Sequence, residues 1–133
     1  MPSNDYHWPD ARALLDELEV VMADDGHTIT VRDRDAFEAG LARARIMAEY
    51  DPDASLAKLA AVMFDGVTTR HALADGNKRA GALSALTLFA LNGMYLDVPE
   101  MELEQWLRAT VAGSATVDAL ADYFAANVFP DIA

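Results

Sequence analysis

The sequence predicts an all-α fold: a compact bundle of about six helices around a central buried helix, with a small β or extended flap near residues 27–32. Three observations carry this. Apolar residues recur at helical spacing through most of the chain, in segments separated by Gly, Pro and Asp clusters. The stretch 80–91 is apolar almost all round, with only Ser84 and Thr87 polar, which suits a buried central helix. The segment HTITVR at 27–32 alternates β-branched and polar residues as a strand does.

Residues 1–8 are polar and expected to be loose. Pro9-Asp10 opens the first helix, with Leu14, Leu15, Leu18, Val21 and Met22 as its stripe, and Asp24-Asp25-Gly26 stops it. Residues 27–32 follow as a hairpin arm or extended loop. Asp33 is a candidate N-cap for the second helix, whose inner face is Phe37, Leu41, Ala44 and Ala48. Tyr50-Asp51-Pro52 ends it, because the residue before proline leaves the helical region. A third helix is expected from about Asp53, with Leu56, Leu59, Ala60, Met63 and Val67 as its stripe. The fourth spans 77–91 and stops at Asn92-Gly93. A short extended piece at 94–98 precedes Pro99, and two helices near 100–112 and 116–128 close the chain. No linker or repeat divides the 133 residues, so one domain is expected.

Composition narrows the chemistry. With no cysteine, disulfides, thiolate metal sites and cysteine nucleophiles are excluded. Ten Lys and Arg against 22 Asp and Glu give a net charge of −12, which repels the phosphate backbone of duplex nucleic acid. The longest strongly apolar stretch, 80–91, is too short for a spanning helix, which needs about 20 residues. The start, Met1-Pro2-Ser3-Asn4-Asp5, has no basic or apolar signal region, and a soluble cytoplasmic protein is expected.

The segment His71-Ala72-Leu73-Ala74-Asp75-Gly76-Asn77-Lys78-Arg79 carries the chemistry. It feeds the start of an apolar helix, where unpaired N–H groups and the helix dipole favour an anion. Lys78 and Arg79 oppose that dipole, and a phosphate between them and the backbone would account for their position. Three of the ten basic residues, Arg70, Lys78 and Arg79, fall within residues 70–79 of an acidic chain. His71 supplies a base near neutral pH, and Asp75 a hard oxygen for Mg²⁺. Together these are the parts of phosphoryl or nucleotidyl transfer. Each also has an ordinary reading: a surface histidine, an N-cap at Asp75 or Asn77, a turn at Asp75-Gly76, a pair of solvated cations. It is their convergence at one helix start that favours function.

Other residues are assigned ordinary places. His7 and His27 lie far along the chain from each other and from His71, which argues against a three-histidine metal site. Glu100, Glu102 and Glu104 read as a solvated helix start. Trp106, Phe124 and Phe129 read as core, Met22, Met47 and Met63 as core filling, and Ser84 and Thr87 as bonded to their own helix.

His71-x-x-x-Asp75-Gly76-Asn77-Lys78-Arg79 resembles the signature of the Doc (death on curing) toxins, a branch of the Fic/Doc superfamily: His-x-Phe-x-Asp/Asn-Ala/Gly-Asn-Lys-Arg. Weaker similarity runs from about Thr28 to Phe129, including Val31-Arg32-Asp33 and Leu120-Ala121-Asp122-Tyr123. The resemblance implies a Fic/Doc-like bundle whose central helix follows the motif. It implies His71 as the base that activates a target hydroxyl and Asp75 as the Mg²⁺ ligand. It implies Gly76, Asn77, Lys78 and Arg79 as the phosphate- and nucleotide-binding residues.

ATP is the implied co-substrate, a translation elongation factor the implied target, and a small Phd-like antitoxin acting in trans the implied inhibitor. AMP-transferring Fic relatives carry Gly where this chain has Lys78, and a second Arg where it has Ala82, so nucleotidyl transfer is the alternative. A non-catalytic antitoxin-binding role is a further one. The Ser/Thr-x-x-x-Glu-Gly/Asn motif of self-inhibited relatives is not found. The chain departs from the signature at Leu73, where the family has Phe, and at Ala80, where Thr or Ser is usual.

Overall fold

The computed structural model describes residues 5–132. Within them run α1 (Ala11–Asp24), α2 (Arg34–Tyr50), α3 (Leu56–Thr69), α4 (Asn77–Leu91), β1 (Met94–Leu96), α5 (Glu100–Ala112), α6 (Val117–Asn127) and β2 (Val128–Pro130). The fold is the expected all-α bundle with a small extended flap.

Local chemistry sets most helix starts. The side chains of Asp10, Asp33, Ser55 and Thr116 each accept the amide three residues on, at 3.0–3.1 Å. The third helix starts at Leu56 rather than near Asp53. Asp51 explains the delay: its side chain accepts the Asp53 amide and its carbonyl the Ala54 amide, so 51–54 is a turn.

The central helix is α3, whereas the sequence pointed to α4. α3 is buried along nearly its whole length and packs against α2, α4, α5 and α6. α4 buries one face, Ala80, Gly81, Ser84, Ala85, Leu88 and Phe89, and leaves Leu86 and Leu91 at 38% and 44% exposure. Small residues on that face permit close approach. A Cβ on Gly81 would lie 2.7 Å from Thr68 Cγ2 and 2.9 Å from Phe64 Cδ1. The α2–α3 crossing is tighter still: a Cβ on Gly40 would meet the Gly66 carbonyl oxygen at 2.6 Å, and one on Gly66 the Gly40 oxygen at 2.5 Å.

Phe37, Phe64, Phe89 and Phe124 are the largest fully buried side chains of the core, with Phe89 and Phe124 edge to face at 5.6 Å between ring centres. Trp106 stacks on Tyr123 at 4.8 Å. Two residues expected inside are not: Val21 and Phe129 are exposed, at 38% and 43%. Val21 lies beside the buried stripe of α1, and Phe129 belongs to a strand.

That strand, β2, was not expected. It pairs antiparallel with β1 in the register Tyr95↔Phe129, with Met94↔Pro130 and Leu96↔Val128 on either side. The flap at 27–32 is extended but forms no hairpin. Its one ladder contact is an antiparallel bridge between Val31 and Leu73. Residues 1–4 lie outside the described part. Residues 5–8, expected to be loose, are tethered: the His7 amide donates to Asn92 Oδ1, Asn92 Nδ2 donates to the His7 carbonyl, and Trp8 packs on the core beneath the Arg45 guanidinium. Among the described residues no helix is long and apolar enough to cross a membrane.

Candidate active site at the start of α4

The motif loop is held from three directions. The flap reaches it first: the Arg32 and Asp33 amides donate to the Ala72 carbonyl, and the Ala74 amide donates to the Thr30 carbonyl at 2.9 Å. The core reaches it through Leu73, which is 1% exposed. Helix α4 reaches it through Asn77. Its Oδ1 accepts the Leu73 amide and its Nδ2 donates to the Leu73 carbonyl, both at 3.0 Å. Asn77 is therefore not a cap: its side chain fastens the loop with Oδ1 and one of its two Nδ2 hydrogens.

Asp75 is not the N-cap. Gly76 holds that position at φ 85°, with no side-chain cap bond. Asp75 Oδ1 instead accepts the Gly76 amide at 2.8 Å. Glycine is required at 76 on two counts. The left-handed conformation disfavours a side chain, and a Cβ would lie 2.7 Å from Met22 Sδ. Met22, read as core filling, is the floor under the loop. No acid stands in the first turn of α4, so its first amides are left without a capping side chain or a compensating charge.

These residues line a cleft of about 320 Å³, formed by Met22, His27, Ala74, Asp75, Gly76, Asn77, Lys78 and Arg79. A second cleft of about 680 Å³ adjoins it, sharing Lys78 and Arg79 and continuing over Ala82, Glu100, Met101, Glu104 and Leu107. The two cations stand between a polar lobe at the helix start and a more apolar lobe against α5.

Both cations already have partners. Lys78 pairs with Glu104, which also receives Arg108 at 3.2 Å, and Arg79 pairs with Asp25. Glu104 was expected to be solvated; it is a clasp on the motif lysine. The hydrogen bond from Lys78 is the main reason the Glu104 carboxyl lies below the usual carboxylate range. The charges of Lys78 and Arg108 add to it, and partial burial opposes it.

His71 stands apart from the other motif side chains. It is exposed, does not line either cleft, and makes no side-chain hydrogen bond among the described residues. Its φ of 49° makes it the one non-glycine residue in the left-handed region among those described. The imidazole that does line the polar lobe is His27, which sequence separation had set aside. The available signal was its place directly after the Asp24-Asp25-Gly26 helix stop.

Mg²⁺ fits this donor set only in company. Asp75 is the one carboxylate lining the polar lobe, and among the described residues no three His, Asp or Glu side chains converge to hold a metal. Mg²⁺ commonly takes one or two protein carboxylates and completes its shell with water and substrate phosphates. Asp75 can supply that single oxygen. Comparison with protein-family models finds no match, and comparison with curated proteins finds none either.

Proposed function

We propose that this chain is a phosphotransferase of the Doc kind, moving the terminal phosphate of ATP to a hydroxyl of a target protein. The observation that carries the reading is the polar cleft at the uncapped start of α4, which gathers Asp75, Gly76, Asn77, Lys78 and Arg79. Phosphate oxygens would accept from the free first-turn amides, and Lys78 and Arg79 would exchange their carboxylate partners for them. Asp75 would hold Mg²⁺ brought by the nucleotide, which neutralises phosphate charge when bound. The larger lobe, with Ala82, Met101 and Leu107, would take the nucleoside.

His71, exposed at the head of the loop, would take the proton of the target hydroxyl. The hydroxyl oxygen then bonds to the γ-phosphorus, the bond to the β–γ bridging oxygen breaks, and ADP leaves with that electron pair. The resemblance at residues 71–79 supplies the biological part of the reading: a cytoplasmic toxin that arrests translation by modifying an elongation factor, restrained by a Phd-like antitoxin in trans.

Label transfer tests this. Radiolabel on the γ-phosphate of ATP should appear on an elongation factor incubated with the protein, and label on the α-phosphate should not. Transfer of α-label would overturn the kinase reading in favour of nucleotidyl transfer. That alternative is disfavoured by Lys78 and Ala82, which stand where AMP-transferring relatives carry Gly and Arg.

A further inference from the structure

The cleft receives one polar side chain that neither the motif nor the resemblance assigns. His27 enters the polar lobe from the end of α1. Its backbone is fixed there. Gly26 turns at φ 78°, and the His27 amide donates to the Met22 carbonyl at 2.8 Å. The same end of α1 is fastened to the start of α4 twice more: Met22 lies beneath Gly76, and Asp25, two residues before His27, holds Arg79.

The chemistry of the lobe gives this imidazole a distinct place. Lys78 and Arg79 face acids, Glu104 and Asp25, which an incoming anion has to displace. Asn77 is tied to Leu73 through Oδ1 and one of its two Nδ2 hydrogens. Asp75 is an acceptor and repels phosphate. The His27 ring has no hydrogen bond or ion pair among the described residues, so its N–H is free to donate without loss of a partner.

We infer that His27 is a phosphate ligand of this cleft, donating a ring N–H to the nucleotide's phosphate chain from the α1 side. The inference rests on the reading of the cleft as a phosphate site.

Calorimetric titration of the full chain with Mg·ATP tests it. His27→Ala should weaken binding about tenfold, the scale of one hydrogen bond to a charged group. His27→Gln keeps a donor and should recover most of the loss. His7→Ala removes an exposed imidazole whose tie to Asn92 runs through the backbone, so it should bind as the wild type does. Unchanged thermal midpoints across the three variants would show that the effect belongs to binding and not to folding, as the exposure of His27 implies. Wild-type affinity in His27→Ala would overturn the His27 assignment and leave the phosphate site standing. No Mg·ATP binding by the wild type would overturn both.

Discussion

Lys78 answers to two opposed demands. As a cation in the first turn of α4 it is repelled by the helix dipole, and Glu104 relieves that at the cost of occupying the ammonium. Both partners are more than a third exposed, so the pair adds little to folding; under the proposed function its effect would fall on the nucleotide. Glu104→Gln should tighten Mg·ATP roughly two- to fivefold, read by calorimetry. Weaker binding would show Glu104 to be a positioning group. The pH dependence has a fixed sign. A carboxyl held below its ordinary range contributes fully above about 4.3 and loses its effect as pH falls through the lowered value. The clasp is therefore closed at neutral pH and opens as the Glu104 carboxyl takes up its proton in acid. In Lys78→Met the carbon-detected NMR titration of Glu104 should move to higher pH; an unmoved midpoint would contradict the pairing. His71→Ala should lower transfer about 10²–10⁴-fold with an unchanged thermal midpoint, because the exposed ring supports no packing.

At the scale of elements, the Gly40–Gly66 contact is the tightest constraint. Gly40→Ala has to push α2 off α3, and a loss of about 1–3 kcal/mol is expected in urea unfolding. Asn77→Ala removes both bonds to Leu73 and should cost about 1–3 kcal/mol, with faster amide exchange at residues 72–74.

What the sequence made legible follows the range of the forces involved. Asp33, Tyr50-Asp51-Pro52 and Asn92-Gly93 act within a turn of where they sit, so the bounds of α2 and the end of α4 were readable. The predominance of α3 over α4 was not, because it depends on which face of each helix the others cover. Asp75, Gly76, Lys78 and Arg79 were readable as one group because nine residues hold them. Their partners were not: Glu104 is 26 residues from Lys78, and Asp25 is 54 from Arg79. His27 escaped for the same reason, and β2 because Val128–Pro130 continues the apolar pattern of α6.

For the whole molecule, a net charge of −12 means self-repulsion in the folded state. Raising NaCl from 20 to 200 mM shortens the screening length from roughly 20 Å to under 10 Å and should raise the thermal midpoint. A falling midpoint would mean that the local ion pairs outweigh the global field. Both ends of the described chain gather at one place. The His7 amide is bound by Asn92, and the Asp131 amide donates to the Gly93 carbonyl, so each arrives where α4 finishes. The 15 residues of α4 place that junction about 22 Å from the cleft at the other end of the helix. The order of the elements along the chain is therefore separable from the site. Splicing the ends through a short Gly-Ser linker, and cutting between Gly113 and Ser114 in the exposed turn after α5, would yield a circular permutant that retains the cleft and its clasps.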